Sequence, residues 1–78
     1  GNVAIIKPAS DTPQTAHHLV EILEEAGLPP GVLNLVHGSG SGVGEPMMAH
    51  PDIRLISFTG SCDVGRRVNE ACAPSFKR

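Results

Sequence analysis

Large aromatic side chains are almost missing from these 78 residues: there is no tryptophan, no tyrosine, and only Phe58 and Phe76. A chain this short hides a smaller share of its surface than a long one, and bulky side chains supply much of the burial a domain needs. Their scarcity argues against a self-sufficient mini-protein and for a piece of a larger domain. The missing initial methionine and the lack of a closing element after Phe76-Lys77-Arg78 fit the same expectation. Basic charge is not in excess. Six Lys and Arg stand against eight Asp and Glu, a net charge of −2, so no basic footprint points to nucleic acid. The adjacent pairs Arg66-Arg67 and Lys77-Arg78 read as solvated helix faces. No apolar run approaches the roughly 20 residues of a membrane-spanning helix, and no signal-peptide pattern is visible. Two cysteines make no disulfide framework. If Cys62 and Cys72 share a helix, a rise of about 1.5 Å per residue sets them roughly 15 Å apart, too far to bridge. A reduced setting, cytoplasm or organelle matrix, is the expectation. The histidines are scattered: His17 and His18 are helix neighbours facing different directions, and with His37, His50 and the cysteines they give no zinc spacing.

What is present alternates between two periods. Val3-Ala4-Ile5-Ile6 is a continuous apolar run, as in a parallel strand covered on both faces, and Lys7-Pro8 ends it. Thr12 reads as an N-cap with Pro13 at the first helical position. Ala16, Leu19, Val20, Ile22, Leu23 and Ala26 form a wide apolar stripe, with Glu21, Glu24 and Glu25 off it. Gly27 is a C-terminal stop, and Pro29-Pro30-Gly31 forbids more helix. Residues 32–36 predict a second strand. A short helix is expected from about Gly42 to Ala49, with Pro46 tolerable only in its first turn. His50-Pro51-Asp52 is a turn, 53–59 holds a third strand, and a last helix runs from Cys62 to about Ala73, where Pro74 ends it. Cys72 falls on that helix's apolar stripe and reads as a buried structural thiol. Three strands alternating with three helices through short loops predict an α/β fold, half of a doubly wound open parallel sheet.

The stretch that carries chemistry is 58–65, Phe-Thr-Gly-Ser-Cys-Asp-Val-Gly. A strand that turns through Gly60-Ser61 into a helix aims the helix's free N–H groups and its dipole at whatever sits above the turn, which makes an anion site. Gly60 lets the backbone approach a ligand closely, Ser61 is a good N-cap, and Asp63 suits the positive first turn. Gly60-x-x-x-x-Gly65 also mimics the start of a triphosphatase phosphate loop, but that motif needs Lys and then Ser or Thr, and Arg66-Arg67 stand there. The glycine-rich stretch 38–44 misses the dinucleotide fingerprint as well: Gly38-x-Gly40 meets Val43, and Gly40-x-Gly42 meets Glu45, where a third glycine is required. By composition alone it is a flexible turn. Lys7, usually no more than a surface charge, stands at the carboxyl edge of a parallel strand, where ligands of open α/β sheets bind.

These segments together resemble the NAD(P)-dependent aldehyde dehydrogenases. Phe58-Thr59-Gly60-Ser61-x-x-Val64-Gly65 looks like the family's cofactor-pyrophosphate turn. Lys7-Pro8-Ala9-Ser10-Asp11-Thr12-Pro13 resembles its adenosine-ribose strand end, and Ala26 to Asn34 its Ala-Gly-x-Pro-x-Gly-Val-x-Asn connection. His50-Pro51-Asp52 lies where the family often has a similar turn. The resemblance runs from Asn2 to about Arg78, and four ordered motifs are far more specific than any one. It implies a Rossmann-like sheet of three βα units and a partial cofactor-binding domain over 1–78. It implies that Lys7 bonds the adenosine ribose with Ser10 beside it, and that Gly40 and Ser41 lie near the adenosine end. Phe58 and Thr59 would lie near the cofactor, and Gly60, Ser61, Val64 and Gly65 would cradle its pyrophosphate. The implied reaction oxidises an aldehyde to a carboxylic acid with NAD or NADP, in a homo-oligomeric parent. A cysteine thiolate attacks, hydride leaves to the cofactor, and a glutamate activates the releasing water. The family's Gly-Gln-x-Cys and Glu-Leu-Gly-Gly stretches are not within these residues, so no catalytic residue is assigned here and the fragment alone is expected to be inactive. A non-enzymatic nucleotide-binding module that kept the turn, or a different nucleotide-binding enzyme of similar layout, would share part of the pattern.

Overall fold

The computed structural model describes residues 1–78, which divide into two compact units, Gly1–Val43 and Gly44–Arg78. In the first, strand β1 (Ala4–Ile6), helix α1 (Pro13–Glu25) and strand β2 (Leu33–Leu35) form a βαβ unit. The strands are parallel, with Ala4 opposite Leu33 and Ile6 opposite Leu35. Ala4 N–H donates to Val32 O (2.8 Å) and Val36 N–H to Ile6 O (3.0 Å), so the ladder continues one bond past each end of β2. Asn34 ties the pair together, its side-chain amide donating to Gly31 O (3.0 Å) and Ala4 O (3.3 Å).

Helix α1 begins at Pro13 as expected, but Thr12 caps it by position alone: its side chain makes no cap bond. The C-terminus closes as a Schellman motif. Gly27, at φ +103°, sits where a left-handed residue is required. Leu28 N–H reaches Leu23 O (2.9 Å) and Gly27 N–H reaches Glu24 O (3.0 Å). Of the apolar stripe only Ala16 is buried, while Leu19 and Ile22 remain 46% and 61% exposed. Two strands are too narrow to cover it. The histidines depart from expectation: His17 Nε2 lies 3.2 Å from Glu21 Oε1 and His18 Nδ1 lies 3.1 Å from Glu21 Oε2. Positions three and four residues apart share a helix face, so neighbours in sequence converge on one carboxylate.

The glycine-rich stretch is a π-helical turn, Gly40–Gly44, two residues earlier than the helix expected there, and helix α2 (Glu45–Ala49) follows with Pro46 in its first turn. In the second unit, Lys77 Nζ donates to Met48 O (2.6 Å) and His50 O (2.5 Å), placing a cation on the free carbonyls at the α2 C-terminus. Helix α3 (Cys62–Cys72) runs into a 3-10 turn, Ala73–Ser75, that contains Pro74. Cys72 is buried, and Cys62 and Cys72 are both free thiols.

The third expected strand does not form. Residues 53–59 carry no strand, and the α/β layout consists of one parallel strand pair rather than three βα units. A strand is defined by its ladder, and within this unit, apart from the turn bond from Ile53 N–H to His50 O (3.2 Å), the backbone partner is the terminal residue: Ile56 N–H donates to Arg78 O (2.6 Å) and Arg78 N–H to Arg54 O (3.0 Å). Leu55 stays 65% exposed.

Candidate functional site

The expected site residues fall in both units. In the first, Lys7 follows β1 directly, and its ammonium donates to Pro8 O (3.0 Å) and Gly38 O (3.2 Å). It therefore ties the end of β1 to the turn after β2, with one of its three donors left over. Beside it an open cleft of about 230 Å3 is lined by Pro8, Ala9, Ser10, Pro13, His37 and Gly38. Ser10 lies in this cleft, at the carboxyl edge of the strands. Gly40 and Ser41 lie in the adjoining turn. Its shape comes from Ser39: Gly42 N–H donates to Ser39 Oγ (2.8 Å), Val43 N–H to Ser39 O (3.0 Å), and the Ser39 and Ser41 hydroxyls are 3.3 Å apart. Neither Ser39 nor the Gly38 carbonyl stood out in the sequence. A backbone acceptor leaves no mark on residue type, whereas a serine three residues before a glycine N–H is a readable turn signal.

In the second unit, Ser61 caps α3. Val64 N–H donates to Ser61 Oγ (3.3 Å) and Gly65 N–H to Ser61 O (2.9 Å). With Val64 satisfied by the cap, the Cys62 and Asp63 N–H groups remain without an intrahelical acceptor and point out of the helix end. Asp63 lies in this first turn, its carboxylate 3.7 Å from Arg66, a fully solvated pair of little energetic weight. Phe58 and Thr59 precede the turn, both exposed. The Phe58 ring folds back over it: a Cβ added to Gly60 would stand 2.5 Å from Phe58 Cζ, and one added to Gly65 3.5 Å from Cε1. The two glycines therefore make room for a ring as well as baring backbone. Free helix N–H groups, a capping hydroxyl and a backbone without side chains form a donor set suited to a phosphate-bearing ligand.

A parallel strand pair joined through a helix in one unit, and a glycine-serine turn opening a helix in the other, define an α/β protein. The chain belongs to the aldehyde dehydrogenase family, whose family model matches residues 1–78. It is 58% identical over 73 residues to the 1-pyrroline-5-carboxylate dehydrogenase of Anoxybacillus flavithermus, covering 94% of this chain and 14% of that protein. It is 49% identical over 78 residues to a 3-succinoylsemialdehyde-pyridine dehydrogenase from Pseudomonas sp, covering 100% of this chain and 16% of that protein. Among solved structures, a mutant of aldehyde dehydrogenase C from Pseudomonas syringae, in complex with NAD+ and octanal, matches with a TM-score of 0.92 and 49% identity, covering 97% of this chain and 16% of that one. The chain thus spans about one-seventh of the length of such relatives.

Proposed function

We propose that residues 1–78 are part of the NAD(P)-binding domain of an enzyme that oxidises an aldehyde to a carboxylic acid, with the reacting cysteine and glutamate supplied from outside these residues. The observation that carries this is the family match over the whole chain, taken together with the Ser61-capped, glycine-flanked N-terminus of α3. Gly60, Ser61 and Val64 would cradle the cofactor's pyrophosphate, with the free Cys62 and Asp63 N–H groups and the capping hydroxyl as donors and Gly65 keeping the turn open. Lys7 and Ser10 would hold the adenosine ribose, and Gly40 and Ser41 would border the adenosine end. Bound NAD(P)+ supplies the hydride acceptor. The share of this chain is binding, and no catalytic residue is assigned to it.

The test is nicotinamide reduction by the full-length protein. The aldehyde panel takes in 1-pyrroline-5-carboxylate, a succinoyl-pyridine semialdehyde, benzaldehyde and octanal, each with NAD and with NADP. Turnover of at least one aldehyde is expected. A folded full-length protein that binds neither cofactor refutes the proposal, whereas one that binds a cofactor but turns over no aldehyde leaves a nucleotide-binding module.

A further inference from the structure

Resting on the NAD(P) reading of the cleft at Ser10, we infer that His37 is a specificity-determining residue that donates to a phosphate on the adenosine ribose 2′ oxygen and so favours NADP relative to NAD. The cleft has two kinds of wall. Pro8, Ala9 and Pro13 give apolar surface, and the only polar side chains that line it are the Ser10 hydroxyl and the His37 imidazole. No carboxylate lines it. A free ribose diol needs acceptors for its hydroxyl protons, which a carboxylate would supply. A phosphate monoester needs donors, which is what this cleft offers.

The placement of His37 is not incidental to the fold. Ile6 pairs with Leu35, and Val36 N–H donates to Ile6 O (3.0 Å). This register brings Lys7 and His37, each just beyond a strand, to the same carboxyl edge. The peptide next to His37 is fixed from the other side, because Gly38 O accepts from Lys7 Nζ at 3.2 Å. One cation and one imidazole thus share an anchored backbone. His37 also borders a second open cleft beside α1, where His17, Glu21 and Glu24 stand. Those carboxylates are the competing partners for its ring, and the Glu21 carboxylate already has both of its oxygens near His17 and His18.

The experiment measures dissociation constants of the full-length protein for NAD, NADP, ADP and 2′,5′-ADP, in wild type, His37→Ala and His37→Lys, with circular dichroism as the folding control. Wild type is expected to bind both dinucleotides. His37→Ala should weaken NADP and 2′,5′-ADP about tenfold, equivalent to about 1.4 kcal/mol, and leave NAD and ADP within about twofold. His37→Lys, which puts another N–H donor at this position, should retain most of the NADP affinity. Equal weakening of all four ligands in His37→Ala, equal loss of NADP in both variants, or a wild type that binds NAD but not NADP overturns the inference and leaves the cofactor reading standing. A wild type that binds no dinucleotide overturns both.

Discussion

Gly60 separates two explanations for the turn at 58–65. A methyl group on Gly60 would stand 2.5 Å from Phe58 Cζ and 3.2 Å from each Cε. Carbon atoms rest at about 3.5–4.0 Å, so in Gly60→Ala the ring has to swing away by about 1 Å. Phe58 is 41% exposed and has open space to move into. Overpacking a closed core costs about 1–3 kcal/mol, and a half-exposed ring belongs at the lower end, about 1 kcal/mol. That is a structural effect. The functional effect is separate: the same methyl covers the backbone that the proposed pyrophosphate has to approach, and in the full-length protein it should weaken NAD binding by at least about tenfold, or about 1.4 kcal/mol. The double variant Phe58→Ala/Gly60→Ala tells the two apart. Without the ring there is nothing for the methyl to hit, so the cost of Gly60→Ala should vanish in the Phe58→Ala background, and the double-mutant cycle should return a stability coupling of about 1 kcal/mol. The loss of NAD affinity should persist, because the methyl still stands on the binding face. Isothermal titration gives the affinity and scanning calorimetry the stability. If the double variant binds NAD as tightly as Phe58→Ala alone, the glycine exists only to house the ring, and the pyrophosphate assignment of this turn is wrong.

Other expectations follow from the same geometry. The isolated 78-residue chain should show no cooperative thermal transition, since Ala16 and Cys72 are its only buried apolar residues; a sharp calorimetric peak with dispersed amide resonances would contradict this. In the full-length protein Ser61→Ala should cost about 1 kcal/mol through the lost cap to Val64 N–H, and an unchanged denaturant midpoint would show that the cap carries no stability. Wild type should accept NADP as well as NAD, because the small neutral Ser10 leaves room beside Lys7. Ser10→Glu should then move kcat/KM towards NAD by repelling a 2′-phosphate. If wild type already rejects NADP as strongly as the variant does, the selecting carboxylate is Asp11 instead.

What was legible in the sequence was what local chemistry decides alone. Pro13 starts a helix because its fixed φ and missing N–H suit a first turn, whatever packs on it later. Gly27 ends that helix because φ +103° is costly for other residues, and Ser61 caps α3 because its hydroxyl is within reach of Val64 N–H. The convergence of His17 and His18 on Glu21 was equally local, since spacings of three and four suffice to place the groups together, yet residue-by-residue inspection of the two imidazoles hides it. The bond from Lys7 to Gly38 O is a different matter: it joins residues 31 apart and ends on a carbonyl that every residue type has.

The strands mark the boundary of local information. The run at 53–59 has the apolar character of a buried strand, and nothing in its composition is wrong for one. Its ladder, however, belongs to two segments at once, and within Gly44–Arg78 it meets Arg78 and, through a turn bond, His50. The same holds for burial. Val3 and Ile5, in and beside a strand whose composition calls for cover on both faces, are 68% and 43% exposed. Ile22 on α1 and Leu55 are more than half exposed as well. Apolar positions at strand and helix periods are therefore written into this chain for neighbours that its own 78 residues do not contain. Caps and turns take their native form without those neighbours because their partners lie within a few residues. Ladders and core faces cannot, and this is why the helix ends agree with the sequence to the residue or nearly so while the third strand does not.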